Sequence, residues 1–114
     1  MELTRLTNPD TIFLKLSDEP ALCDELKQLR VQYVDVLGGH VVLDFSRATD
    51  IGRDSLDSLI DVTNRCINSS RRLILCNVIP KVKAVFLSMQ LHEVFEISCK
   101  RNPEDIFSEL QEVP

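Results

Sequence analysis

The 114-residue chain has few of the residues on which common catalytic motifs depend. Its three glycines form no Gly-x-Gly-x-x-Gly fingerprint, no Gly-Lys-Ser/Thr phosphate loop and no Gly-x-Ser-x-Gly elbow, which excludes the usual nucleotide-binding and hydrolase motifs. No apolar run approaches the roughly 18 residues that cross a bilayer. The N-terminus lacks the basic and then apolar layout of a signal peptide. We therefore expect a cytoplasmic protein that is not an enzyme and does not insert into a membrane.

The sequence also has few basic residues and no closely spaced pairs of cysteine or histidine, the usual metal-binding residues. The 13 lysines and arginines are outnumbered by 18 acids, and the formal net charge of -5 argues against nucleic-acid binding, which needs a basic face. The two histidines are far apart, and the cysteines have no Cys-x-x-Cys spacing. Each cysteine lies within an apolar pattern, so we predict buried thiols rather than zinc ligands. We expect no metal, no cofactor and no nucleic acid; the cysteines are Cys23, Cys66, Cys76 and Cys99.

Strand and helix patterns alternate along the chain. Strands are predicted at residues 2–6, 11–16, 41–45, 73–78 and 94–97. Helices are predicted from residues 17–20 to the glycine pair at 38–39, over residues 56–67, from Pro80, and from residues 102–105. This order predicts an α/β fold: a single domain over residues 1–114, with a mixed β-sheet, mostly parallel with an antiparallel N-terminal edge, packed with about four helices. The apolar positions predict one core, formed by Leu43, Phe45, Leu56, Leu59, Ile60, Leu73, Leu75, Val82, Phe86, Met89 and Phe95.

The most informative segment is residues 41–67, which reads VVLDFSRATDIGRDSLDSLIDVTNRCI. It begins as an apolar strand, passes through a polar turn and becomes an amphipathic helix, with Gly52-Arg53-Asp54-Ser55 at the joint. Farther on, residues 73–97 read LILCNVIPKVKAVFLSMQLHEVFEI. Both segments resemble the STAS family, the sulfate-transporter and anti-sigma-factor-antagonist domains. The resemblance covers about residues 11–110 and is strongest at residues 41–97.

STAS domains usually read an apolar run, Asp-Leu-Ser, a short turn and Asp-Ser-Ser-Gly-Leu, and the second serine of that pair is phosphorylated in partner-switching members. Aligned without gaps, the strand end matches Leu43-Asp44-Phe45-Ser46. The family's Asp, Ser, Ser and Gly then fall on Gly52, Arg53, Asp54 and Ser55. The resemblance therefore implies that Asp54, a permanent negative charge, stands at the phosphoserine position.

The resemblance implies a non-catalytic protein-interaction module, similar to an anti-sigma factor antagonist in a bacterial partner-switching pathway of signal transduction and transcription regulation. In the family, the unphosphorylated domain binds an anti-sigma factor kinase, and phosphorylation at the helix start breaks this complex. The partner implied here is an anti-sigma factor or serine kinase, or another STAS protein, and a homodimer is left open. The displaced phosphosites to consider are Ser55 and Ser58. The implied partner-binding residues are Thr49, Asp50, Gly52, Arg53, Asp54, Ser55 and Asp57.

Several alternatives stay open at this point. The family also includes accessory subunits of transporters, such as lipid-transport ABC complexes, and a missing phosphoserine suits that role equally well. A small-molecule or nucleotide-sensing domain would need a pocket beside the loops after Phe45 and Val78, at the carboxyl ends of strands. Asp54 is also a candidate helix N-cap, a role that aspartate often takes. Asp57 and Asp61 are four residues apart on one helix face, which favours a solvated face over a metal or acid/base site.

Overall fold

The computed structural model describes residues 2–7, 10–34, 39–100 and 105–106. The chain begins with an antiparallel hairpin of strands β1 (Glu2–Thr7) and β2 (Asp10–Lys15). Three further strands pair in parallel with their neighbours: β3 (His40–Asp44), β4 (Leu73–Cys76) and β5 (Glu96–Ile97). The five strands lie in the order β1-β2-β3-β4-β5. The predicted mixed sheet, mostly parallel with an antiparallel N-terminal edge, is therefore confirmed.

Helices α1 (Ala21–Gln28), α2 (Arg53–Asn68) and α3 (Pro80–Ser88) lie in the connections between the parallel strands. A π-helical segment, Leu29–Val34, continues α1. Just beyond α2, Ser70 has a φ of 59°, a left-handed conformation that often follows a helix end. Pro80 begins α3, where its fixed φ suits the first helical position. None of the helices in the described ranges is long and apolar enough to cross a membrane.

Two predicted helix ends fall outside the described residues. The first is Gly38, which was expected to end the first helix; its neighbour Gly39 is described, and its φ of 98° is one that favours glycine. The second is the start of a fourth helix, of which only Asp105 and Ile106 are described, in helical conformation. The described residues thus contain three α-helices rather than about four.

The three helices pack on one face of the sheet. Alternate side chains along β2, β3 and β4 point to this face, as Leu14, Leu43 and Leu75 do, and they form one cluster with Leu59 of α2 and Phe86 of α3. β3 and β4 are buried on both faces, which explains their unbroken apolar sequences. The cluster on the opposite face is formed by Phe13, Val42, Ile74, Cys76 and Ile106.

The predicted core is confirmed with two adjustments. Ile60 is only partly buried and packs against the edge of the core. The prediction that Met89 belongs to the core is wrong, because its side chain is 51% exposed. The prediction continued the helical spacing of Val82 and Phe86 for one more step, whereas α3 ends at Ser88. The correctly predicted buried residues are Leu43, Phe45, Leu56, Leu59, Leu73, Leu75, Val82, Phe86 and Phe95.

The cysteines differ in environment, so the prediction that all are buried is wrong in part. Cys66 and Cys76 are buried, Cys23 is half-buried, and Cys99 is exposed. Burial, with a smaller effect from the negative charge of Asp44, raises the pKa of Cys76 to about 12. Burial also raises the pKa of Cys66. Cys99 is exposed because it lies beyond the end of the short strand β5, where the apolar pattern has stopped.

Candidate functional site

The start of α2 is the place to which the sequence patterns point. Gly52 is the N-cap residue, with φ -82° and ψ 169°, and its carbonyl accepts a hydrogen bond from the amide of Leu56 at 3.0 Å. Arg53, Asp54 and Ser55 are the first three helical residues. The hypothesis that Asp54 is the N-cap is therefore wrong, because the chain enters the helix at Arg53 and Gly52 occupies the cap position.

Glycine has no side chain with which to cap a helix, and the carboxylate of Glu19 takes this role. Its Oε2 accepts hydrogen bonds from the Gly52 amide at 2.6 Å and from the Ser55 hydroxyl at 2.7 Å. A Cβ at position 52 would lie 3.0 Å from this oxygen, so a larger residue would displace the carboxylate. Glu19 lies in the loop between β2 and α1, 33 residues before Gly52.

The neighbouring Asp18 holds the other end of the same segment. Its Oδ1 accepts a hydrogen bond from the Thr49 amide at 3.0 Å, and its Oδ2 accepts one from the Thr49 hydroxyl at 2.5 Å. The hydroxyl and then the amide of Thr49 hold the pKa of Asp18 below its usual value, because both stabilise the charged form. These hydrogen bonds of Asp18 and Glu19 together form a carboxylate clamp on residues 49–55.

We expect the carboxylate clamp to make stability depend on pH through Asp18. Because the Asp18 pKa is lower in the folded chain, its stabilisation is complete above the unfolded pKa of about 4 and is lost as pH falls through the folded pKa. Asp18→Asn should therefore be less stable than the wild type at about pH 6, and the difference should shrink below about pH 4. Urea unfolding across this pH range measures the effect.

Asp24→Asn is the matched control, because Asp24 is an exposed acid in the first turn of α1. The difference in stability between Asp24→Asn and the wild type should not shrink in this way below about pH 4. If the profiles of Asp18→Asn and the wild type stay parallel below about pH 4, the charge of Asp18 does not strengthen the clamp.

A further carboxylate fixes the loop that carries the clamp. Glu25 of α1 is buried, and its two oxygens accept hydrogen bonds from the Ser17 amide at 2.6 Å and the Ser17 hydroxyl at 2.9 Å. Burial by itself raises the pKa of Glu25, but stabilisation of the charged form, to which the Ser17 amide contributes most, outweighs it, and the pKa lies below its usual value. The loop between β2 and α1 is therefore tied to its own helix as well as to residues 49–55.

Two buried apolar side chains anchor residues 49–55 to the core. Ala48 and Ile51 are buried in the main cluster, on either side of the exposed Asp50. Asp50 accepts a hydrogen bond from the Ile51 amide at 2.8 Å and lies 3.6 Å from the Lys81 ammonium of α3. Both charges of that ion pair are largely exposed, so it adds little to stability. The clamp and the two apolar side chains set the position of the segment.

Most of the predicted partner-binding residues are exposed to solvent. Ser55 is the exception, with 1% of its surface exposed, and Ser58 is half-buried one turn later. Within the described part of the chain, the side chains of Arg53 and Asp54 make no hydrogen bond or ion pair. Their charges are therefore available to another molecule. The exposed members of the predicted set are Thr49, Asp50, Gly52, Arg53, Asp54 and Asp57.

Sequence reasoning missed Asp18 and Glu19 as members of the site. It assigned them to the start of α1, because acids before a proline are typical of a helix N-terminus. A second signal was available: both residues follow β2, and β2 is the parallel neighbour of β3. Loops after parallel neighbours meet at the same edge of a sheet.

A groove of about 360 Å³ lies between α1 and α2, next to the helix start. Asp61, predicted on a solvated face, is half-exposed there and lies 3.1 Å from Arg30 and 3.5 Å from Arg65. The groove therefore carries charges of both signs. Its lining includes Leu26, Lys27, Arg30, Val31, Asp57 and Ser58.

A second groove, of about 390 Å³, lies beside the loops after Phe45 and Val78, where a sensing pocket would have to be. Its polar edge is partly engaged, because the Asp44 Oδ1 accepts hydrogen bonds from the Ser46 amide at 2.8 Å and from the Asn77 Nδ2 at 3.2 Å. Among the residues that the structure describes, no group of three or more His, Cys, Asp or Glu could hold a metal ion.

A family model of the STAS domain matches residues 9–113. The chain belongs to the STAS domain family. The resemblance seen in the sequence is thereby confirmed, and it covers nearly the whole of this STAS domain. No curated protein sequence matches this STAS domain at a significant level.

Several solved structures have the same fold as this STAS domain over most of its length. A candidate anti-sigma factor antagonist from Thermotoga maritima is similar to this STAS domain with a TM-score of 0.81 and 14% identity, over 97% of this chain and 94% of that chain. A serine-to-glutamate variant of RsbS from Moorella thermoacetica has a TM-score of 0.76 and 14% identity, over 98% of this chain and 97% of that chain. A sulfate transporter family protein from Wolinella succinogenes has a TM-score of 0.63 and 13% identity, over 88% of each chain. At these identities the likeness shows the fold alone.

Proposed function

We propose that this STAS domain is a non-catalytic protein-interaction module that acts like an anti-sigma factor antagonist in a partner-switching pathway. Its partner in this proposal is an anti-sigma factor or serine kinase, or another STAS protein. The observation that carries the proposal is the exposure of Arg53 and Asp54 at the start of α2, where neither has a partner within the described residues. The likeness in fold to the candidate antagonist from T. maritima supports the same kind of function.

Asp54 puts a fixed negative charge at the position where the family resemblance implies a phosphorylatable serine. The positive end of the helix dipole favours such a charge, and Asp54 lies in the first turn of α2. A carboxylate has one charge and a phosphoserine nearly two, so Asp54 imitates the phosphorylated state in part. Ser55 does not replace the missing hydroxyl, because it is buried and donates to Glu19. We therefore propose a domain that is not reset by phosphorylation at the usual site.

Replacing Asp54 by serine tests this proposal. The change removes a charge that must be desolvated or repelled at the interface, so binding to a kinase-type partner encoded by a neighbouring gene should tighten. We expect a dissociation constant about 5- to 150-fold lower, the usual range for coupling between sites, measured by isothermal titration calorimetry. Incubation with the kinase and ATP should add phosphate to the introduced serine and none to the wild type, as read by mass spectrometry.

Two further variants separate charge from phosphorylation. Asp54→Asn removes the charge without adding a hydroxyl, so it should tighten binding and remain unmodified. Asp24→Ser changes an exposed acid in the first turn of α1, and it should alter neither measurement. Unchanged affinity for Asp54→Ser, or stoichiometric phosphate on Ser55 or Ser58 of the wild type, would contradict the proposal.

A transporter accessory role is the second candidate, and the likeness to the sulfate transporter family protein from W. succinogenes supports it. In that role the domain binds and stabilises an ABC-type transporter, such as a lipid transporter, and the charge of Asp54 need not weaken any complex. The neighbouring genes distinguish the two roles: a kinase or sigma factor gene favours partner switching, and permease and ATPase genes favour transport. With a transporter ATPase as the partner, Asp54→Ser should leave the affinity unchanged.

A further inference from the structure

The carboxylate clamp places an internal anion at the start of α2. The first amides of a helix have no partner within the helix, and together with the helix dipole they favour a negative group. In this chain the Glu19 carboxylate already lies there, 2.6 Å from the Gly52 nitrogen and 2.7 Å from the Ser55 oxygen. A phosphoryl group on this segment would meet a position that is already filled.

Asp18 extends the same arrangement to the beginning of the segment. Both consecutive carboxylates accept hydrogen bonds from a backbone amide and a hydroxyl of residues 49–55, so Thr49 and Ser55 both donate to the clamp. The Asp18 Oδ1 also accepts a hydrogen bond from the Glu19 amide at 2.9 Å, which joins the two acids. Hydrogen bonds to a charged acceptor are shorter and stronger than neutral ones. A helix cap alone needs only the contact to Gly52, whereas this set of bonds fixes residues 49–55 from both ends.

We infer that Asp18 and Glu19 are an intramolecular stand-in for a phosphoryl group: positioning residues that hold residues 49–55 in one conformation without modification. Recognition of that surface by a partner rests on the proposed function, but the positioning of residues 49–55 by the two carboxylates does not. The inference explains how a chain with no serine at position 54 keeps a fixed surface at the helix start. It also gives the Ser55 hydroxyl a role as a donor to Glu19 rather than as a phosphate acceptor.

Removing the Glu19 carboxylate tests the inference by opening the helix start. In Glu19→Ala the Gly52 amide loses a charged acceptor, so its hydrogen exchange should become about 10- to 100-fold faster. Inorganic phosphate, added at constant ionic strength, should then bind the opened helix start, shift the amide resonances of residues 52–55 and slow the exchange again. The wild type should show neither response to phosphate, because Glu19 fills the position.

Two variants serve as references. Glu93→Ala removes an exposed carboxylate between α3 and β5 and should leave both the exchange rate and the phosphate response as in the wild type. Glu19→Gln keeps the size of the side chain and removes its charge. Its Gly52 amide should also exchange faster than in the wild type, and added phosphate should slow that exchange again, so the test stays decisive if Glu19→Ala does not fold.

An unchanged exchange rate of Gly52 in the Glu19 variants would overturn the inference. So would a folded Glu19→Ala whose exchange phosphate does not slow, because Glu19 would then be a simple helix cap. Both measurements are made without a partner, so they are independent of the binding experiment on Asp54. A phosphate response at Glu19→Ala with unchanged affinity for Asp54→Ser would contradict the proposed function and leave this inference standing.

Discussion

Phe86→Ala will lower the free energy of unfolding by about 3–5 kcal/mol. Phe86 is fully buried in α3, and its ring meets that of Phe95 edge-on, with centroids 5.0 Å apart and planes at 67°. The substitution removes buried surface and also an aromatic pair, which contributes about 0.5–1.5 kcal/mol beyond burial. Urea unfolding at neutral pH measures the loss.

Leu87→Ala is the control for this prediction, because Leu87 follows Phe86 on the same helix and is 52% exposed. Its effect should stay within about 0.5 kcal/mol, as for most surface substitutions. A loss below about 1 kcal/mol for Phe86→Ala would show that α3 does not pack on the sheet through this residue.

Leu59→Ala will lower the free energy of unfolding by about 2–5 kcal/mol, because Leu59 is fully buried on the core face of α2. The same helix carries the exposed Arg53 and Asp54 at its start, so the variant also tests which face of α2 is turned toward the core and which toward solvent. Differential scanning calorimetry measures the change in stability. Ile67→Ala, at a position of the same helix that is 58% exposed, should stay close to the wild type. Equal losses for the two variants would contradict the assigned helix face.

The order of strands and helices was predictable because burial and apolar periodicity agree along most of the chain. β3 and β4 are covered on both faces, so their unbroken apolar runs indicated parallel strands correctly. Apolar spacing does not encode where an element stops, however. Met89 was placed in the core because its spacing continues that of Phe86, but α3 ends one residue earlier, at Ser88. Cys99 was misplaced for the same reason, since β5 is a strand of only 2 residues.

The location of the candidate site was predictable, but the contacts that hold it were not. The polar segment after β3 is visible in the sequence, whereas Asp18 and Glu19 lie 31 to 36 residues away from the groups they bind. Contacts between two loops depend on the strand order and register that bring β2 and β3 side by side. The N-cap error has the same origin. A local rule selects aspartate as the cap, while in this chain Gly52 is capped from another loop.

The close approach of Glu19 to Gly52 also links the evolutionary histories of distant positions. While the carboxylate is present, position 52 has little room for a side chain, because a Cβ would lie 3.0 Å from Oε2. A descendant that lost the acid at position 19 could accept a larger residue at position 52, and a hydroxyl at position 55 would no longer have its acceptor. Substitutions at these three positions are therefore expected to be correlated among homologues. An acid, a glycine and a hydroxyl found together at positions 19, 52 and 55 would mark the lineages that kept an internal anion at the start of this helix.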